Sequence, residues 1–182
     1  LKALIGLIFT IISLNVIAQP CVMSCKNGPV FFPLNGGCSK SIDANELLLF
    51  PQTTCLGPKT GIAFDQFNNP IGNIITSGFI GQTLKVTVVD INSGQNCMTQ
   101  IMVVDTMKPI LVCQNDITIS CNKSILPADL PPPIVIDNCG GIVNLTHTDV
   151  VNNLPCPSPA TVFRTWKATD ASGNSKTCVT KI

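Results

Sequence analysis

The pattern of apolar and polar positions is clearest in two places eighty residues apart. "GQTLKVTVVD" places Leu84, Val86 and Val88 on one face and Lys85 and Thr87 on the other, and "TVFRTWKATD" alternates in the same register. Aligning Asp90 with Asp170 sets Val88 over Ala168 and Val86 over Trp166. Two-residue periodicity with one apolar face predicts a half-buried antiparallel strand. "DINSG" and "DASGN" follow, and they predict turns because Asp and Ser bond locally to backbone while Gly accepts positive φ. Cys97 and Cys178 then stand in the return strands "CMTQIMVVD" and "CVTKI". The same hairpin is written twice.

Shorter signals fill in the rest. "GPVFFPL", "ANELLLF", "GIAFDQF" and "NIITSGF" read as strands in the first half, with one helical turn capped by Asp43 as the alternative for "DANELLL". In the second half "PILVC", "DITISC" and "GIVNLTHTDV" read as strands, and "ILPADLPPPIVIDNCGG" as an extended or turning connection. Pro109 cannot donate to a strand ladder, so "VVDTMKPILVC" contains a hinge. The domain expectation is therefore a β-sandwich module over 19–106 and a second over 107–182. The second stops where the matching strand of the first continues through "MVVD", so the chain is expected to be cut within its final strand.

The N-terminus follows a different rule. Lys2 precedes an apolar run to Ile17, and Ala18 closes it before Gln19. This layout predicts a secretory signal peptide over 1–18. The run is shorter than the roughly 20 apolar residues of a membrane span and is interrupted by Ser13 and Asn15. Once the leader is cleaved, no membrane insertion is expected.

All ten cysteines lie after that cleavage point: Cys21, Cys25, Cys38, Cys55, Cys97, Cys113, Cys121, Cys139, Cys156 and Cys178. An even number in an exported chain predicts a disulfide framework. Zinc binding would call for two tight cysteine pairs, and Cys21 with Cys25 is the only close pair beside a single His. Eleven basic residues against ten acidic ones leave no basic stripe for nucleic acid.

"DTMKPILVCQNDITISC", "PPPIVIDNCGG" and "FRTWKATDASGNSKTC" together resemble the HYR (hyalin repeat) family in its cysteine-rich, HYR-like form, found in surface proteins of Bacteroidota. The resemblance covers nearly all of Asp105 to Ile182. The first half is similar to the module that often opens such proteins, through "SCKNGPVFFPLNGGC" and "SGQNCMTQIMVVD". The resemblance implies an all-β chain of two tandem immunoglobulin-like β-sandwiches, secreted and associated with the cell surface. It implies a structural or adhesion role, with neighbouring repeat modules of the same chain as partners and surface glycans or proteins as outside ones. It also implies a bond from Cys113 to Cys178, and one from Cys21 or Cys25 to Cys97. Related repeats often read "DACGN" where this chain has Ser172, which leaves five cysteines in each half. Cys21 reads as the extra one in the first half, and a bond between the halves is one outlet.

Catalytic chemistry finds little footing. His147 is the only His and sits in a polar alternation, with every cysteine expected to be oxidised. No enzyme activity and no organic cofactor are expected. Calcium is the one ion the pattern leaves open. Asp90, Asp105, Asp137 and Asp170 stand at strand ends or near the hinge, with Asp105 and Asp137 the candidate ligands at an interdomain position. The competing reading of each is a local turn cap. "DTM" resembles an exported-protein O-glycosylation signal with Thr106 as acceptor, and Asn122 and Asn144 fit the N-linked pattern. Trp166 alternates with Val162 and Ala168 and is assigned to the core rather than to a sugar-stacking platform. The alternative function is a carbohydrate- or protein-binding accessory module of a larger secreted hydrolase, against which aromatics at 5% weigh.

Overall fold

The computed structural model describes residues 20–50, 54–152 and 160–182. The expected leader over 1–18 and Cys156 lie outside the described residues. Among the described residues twelve strands are formed: β1 (Pro29–Pro33), β2 (Ser39–Ser41), β3 (Lys59–Phe64), β4 (Pro70–Gly72), β5 (Ile74–Thr76), β6 (Thr83–Asp90), β7 (Asn96–Val104), β8 (Ile110–Val112), β9 (Ile134–Ile136), β10 (Asn144–Asn152), β11 (Thr161–Thr169) and β12 (Ser175–Lys181). The helical elements among the described residues are 3₁₀ turns of three or four residues, so the protein is all-β.

The strands fall into two groups, each with its own apolar cluster. In the first, a five-stranded sheet runs β1-β7-β6-β3-β4, and β2 pairs with β5. Alternation in β6 buries Leu84, Val86 and Val88, and alternation in β7 buries Ile101 and Val103 on the same face. Leu84 lies opposite Ile101, and Val88 opposite Cys97. β1 joins the far edge of β7 in parallel, with Phe32 level with Val103. Ile42, Leu47 and Ile75, from the stretch around β2 and β5, complete that cluster. The "DANELLL" stretch takes the helical alternative: Ala44–Leu47 is a 3₁₀ turn, and the Asn45 N–H donates to Asp43 Oδ1 at 2.9 Å.

The close fit of these layers shows at Gly61 in β3. A Cβ there would lie 2.5 Å from Ile42 Cγ2. A glycine inside a strand often marks such an approach. Gly61→Ala is expected to cost about 1–3 kcal/mol through overpacking, read as a lower urea midpoint by far-UV circular dichroism.

The second group is smaller. β10-β11-β12 form an antiparallel sheet, and β8 pairs with β9. Leu111, Trp166 and Ala168 are its buried cluster, with Val135, Val143, Leu145 and the Cys113 and Cys178 sulfurs packed around them. Trp166 is 7% exposed, so it is a core residue. β3-β6-β7 and β10-β11-β12 share one strand order, and the two repeated hairpins are β6-β7 and β11-β12. Both turns use a glycine at positive φ, Gly94 at 71° and Gly173 at 90°. The second turn is one residue tighter: the Asp90 N–H donates to Gln95 O, whereas the Asp170 N–H donates to Asn174 O.

Two expectations from the pattern differ from the fold. "DITISC" forms no regular strand, although the Ile117 N–H donates to Lys181 O at 2.9 Å beside β12. Conversely, Ile134–Ile136 in the proline-rich connection is β9, which borrows β8 as its partner. Arg164 is the other departure. It occupies the place of Leu84 in the aligned hairpins, yet points inward and is 2% exposed.

Four disulfides are described. Cys21 bonds Cys55, Cys25 bonds Cys97, and Cys113 bonds Cys178, each within one strand group. The fourth, Cys38–Cys139, joins the two groups. Cys121 is disulfide-bonded as well. Cys21, the extra cysteine on the sequence reading, has its partner inside the first group, and Cys38 is the cysteine that reaches out of it.

Candidate functional site

Three strands end at the junction between the two groups, and each is followed at once by an aspartate. Asp105 follows β7, Asp137 follows β9 and Asp170 follows β11. Strand alternation explains why two of them are buried. Asp105 continues the inward row of Ile101 and Val103, and Asp170 continues that of Trp166 and Ala168. Asp105 is 7% exposed and Asp170 6%. One carboxylate oxygen from each of the three lies within 4.8 Å of the others.

Local bonds fix this arrangement. Asp105 Oδ1 accepts the Met107 N–H at 2.9 Å, the single hydrogen bond its carboxylate receives among the described residues. Asp170 accepts the Asn174 N–H at 2.8 Å and the Asn174 side-chain amide at 3.0 Å. That same amide donates to the Asp105 carbonyl at 3.1 Å, which ties the hairpin turn of the second group to the end of the first. Asp137 sits two residues before Cys139 and its bond to Cys38. Its Oδ1 is buried and has no hydrogen-bond partner.

The electrostatics of the cluster are unbalanced. The ion pairs among the described residues are Lys40–Glu46, Lys59–Asp90 and Arg164–Asp149, so no cation meets any of these three carboxylates. Two unit charges no more than 4.8 Å apart repel by at least roughly 3 kcal/mol at an effective dielectric of about 20. The repeated hairpin supplies an internal comparison. Asp90, the counterpart of Asp170, is 1% exposed, and Lys59 Nζ stands 3.6 Å from it. The Ser93 backbone N–H, then the Ser93 hydroxyl and Lys59, hold Asp90 below the usual carboxylate range, with burial opposing them. One buried aspartate thus has a lysine, whereas the other has two more aspartates.

The remaining candidates stand apart from this junction. His147 is exposed in β10, its ring 5.3 Å from that of Trp166, and no free cysteine accompanies it among the described residues. Thr106 is exposed beside buried Asp105, and Asn122 and Asn144 are exposed too. No helix among the described residues is long and apolar enough to cross a membrane. The sequence reading placed Asp105 and Asp137 together at an interdomain position. It passed over Asn174, and from the odd cysteine count in each half it allowed a bond between the halves without naming Cys38 and Cys139.

No curated protein matches the chain. A family model described as an HYR-like domain with 4 cysteines matches residues 109–180. That span holds five cysteines, Cys113, Cys121, Cys139, Cys156 and Cys178, and Cys139 is bonded outside it. The C-terminal strand group is thus similar to the HYR-like domain with 4 cysteines, and its Cys139 ties it to the strands before it.

Proposed function

We propose that this chain contributes two tandem immunoglobulin-like β-sandwich modules, meeting near residues 106 and 107, to a secreted, cell-surface repeat protein. The modules serve as non-catalytic structural and adhesion units. HYR-like domains are typically adhesion-type extracellular modules, and the disulfide-rich character of the chain points the same way. The observation that carries the reading is the Cys38–Cys139 disulfide. A covalent tie across a module junction has no bearing on a reaction, but it limits bending in an extended array, where each unit touches only its neighbours. Trp166 is buried, so the sole Trp offers no stacking platform to a sugar, which weighs against the accessory-module alternative. Thr106, exposed in the linker, is the proposed glycan acceptor.

Small-angle scattering tests the reading. The oxidised chain is expected to fit one fixed arrangement of two modules, and the Cys38→Ser/Cys139→Ser variant a broader spread of interdomain angles. An oxidised wild type that already samples a broad spread would remove the stiff-spacer role.

A further inference from the structure

We infer that Asp105, Asp137 and Asp170 form a calcium site that braces the module junction. The three carboxylates come from the ends of β7, β9 and β11, so one ion would bind both strand groups at once. The ligand type selects the ion. Three carboxylate oxygens within 4.8 Å of one another suit a hard cation. Calcium accepts oxygen ligands at about 2.3–2.6 Å in flexible geometry, whereas magnesium demands near-ideal octahedral geometry at about 2.0–2.1 Å. Zinc sites favour Cys and His, and His147 lies elsewhere while the described cysteines are in disulfides.

Proximity of acids alone would not carry this. One further observation does: Asp137 Oδ1 is shielded from solvent and receives no hydrogen bond. Buried oxygens without donors are rare in native structures unless something else satisfies them. Local caps explain Asp170, whose two oxygens meet Asn174, and Asp105, whose Oδ1 meets the Met107 N–H, but they leave Asp137 Oδ1 unexplained. The Asp90 site, by contrast, is closed by Lys59.

The inference deepens the stiff-spacer reading but fails separately from it: calorimetry reports the ion, scattering the hinge. Calcium chloride titrated into the oxidised chain is expected to show one site with a dissociation constant of about 10⁻⁴–10⁻³ M, the range of extracellular modules. Calcium should also raise the unfolding temperature relative to EDTA. Asp137→Asn, and separately Asp105→Asn, should weaken binding at least about tenfold while Trp166 fluorescence stays native. No heat of binding in the wild type up to about 10 mM calcium, well above that range, would overturn the site. So would unchanged affinity in both variants. An Asp137→Asn variant that is more stable than wild type in EDTA, with no response of either protein to calcium, would likewise overturn it.

Discussion

Replacing Cys113 and Cys178 together by serine is expected to unfold the C-terminal strand group well before the N-terminal one. The bond joins residues 65 apart. A closed loop of that length contributes about 4 kcal/mol in the chain-entropy account, against a typical domain total of about 5–15 kcal/mol. The share is large because the group has little else. Its fully buried apolar cluster is Leu111, Trp166 and Ala168, and the two half-cystines are themselves part of the packing around it. The first group buries fifteen residues in its cluster and should hardly notice the change. The composition makes the measurement selective. The chain has one Trp and no Tyr, so Trp fluorescence reports the C-terminal group while far-UV circular dichroism reports both. The Trp166 transition should fall by roughly 15 °C or more, since about 1 kcal/mol moves a small domain by some 4–8 °C. A fall of less than about 5 °C would mean that packing, not the cross-link, holds this group together.

The second large effect is expected at Arg164. Its guanidinium is buried, donates to both carboxylate oxygens of Asp149 at 2.8 and 2.7 Å, and donates to the Ile125 carbonyl at 2.5 Å. Nη1 has no partner, so the group is already incompletely satisfied. Removing the counter-charge by Asp149→Asn strands a cation in an apolar row and should cost about 3 kcal/mol. Arg164→Leu should cost less, because Leu restores the residue type found at the matching Leu84 and leaves an Asp that reaches solvent. Urea unfolding followed by Trp166 would order the two variants, and the reverse order would refute the argument. The pair also sets an acid response. The hydrogen bond to Arg164 is the main cause holding Asp149 below the usual carboxylate range, with the positive charge of Arg164 adding to it and burial opposing. The stability gained is therefore complete above the unfolded value, about pH 3.9. It is lost as pH falls through the lower folded value. Wild type should be level from neutral pH down to about 4 and fall below that, whereas Asp149→Asn should lack this part of the fall.

What could be read from the chain was what depends on neighbours in sequence. Two-residue alternation was enough to locate β6, β7, β11 and β12 and to assign Val86 and Trp166 to the inside, because the side-chain period of a strand is a local property. Gly94 and Gly173 marked their turns because positive φ is a local demand as well. The same alternation carried Arg164 inward, but its neutralising partner lies across the sheet on β10, and a polar residue in an apolar row does not name its partner in advance. β9 and the "DITISC" stretch were misjudged for a related reason. A three-residue strand exists only through the partner that accepts its hydrogen bonds, and a sequence rich in β-branched residues stays irregular when its neighbour, here the end of β12, offers no continuous ladder.

Cysteine and aspartate content was plain in the sequence; where these residues meet was not. The count of ten showed that disulfides form, while only the docking of two separately built strand groups brought Cys38 to Cys139. The hinge position of Asp105 was visible from Pro109, but Asp170 joins Asp105 and Asp137 because three strands of different sheets end at one place. Alternation decides which face a residue takes. Convergence of distant strand ends depends on how sheets pack, and no local period encodes that.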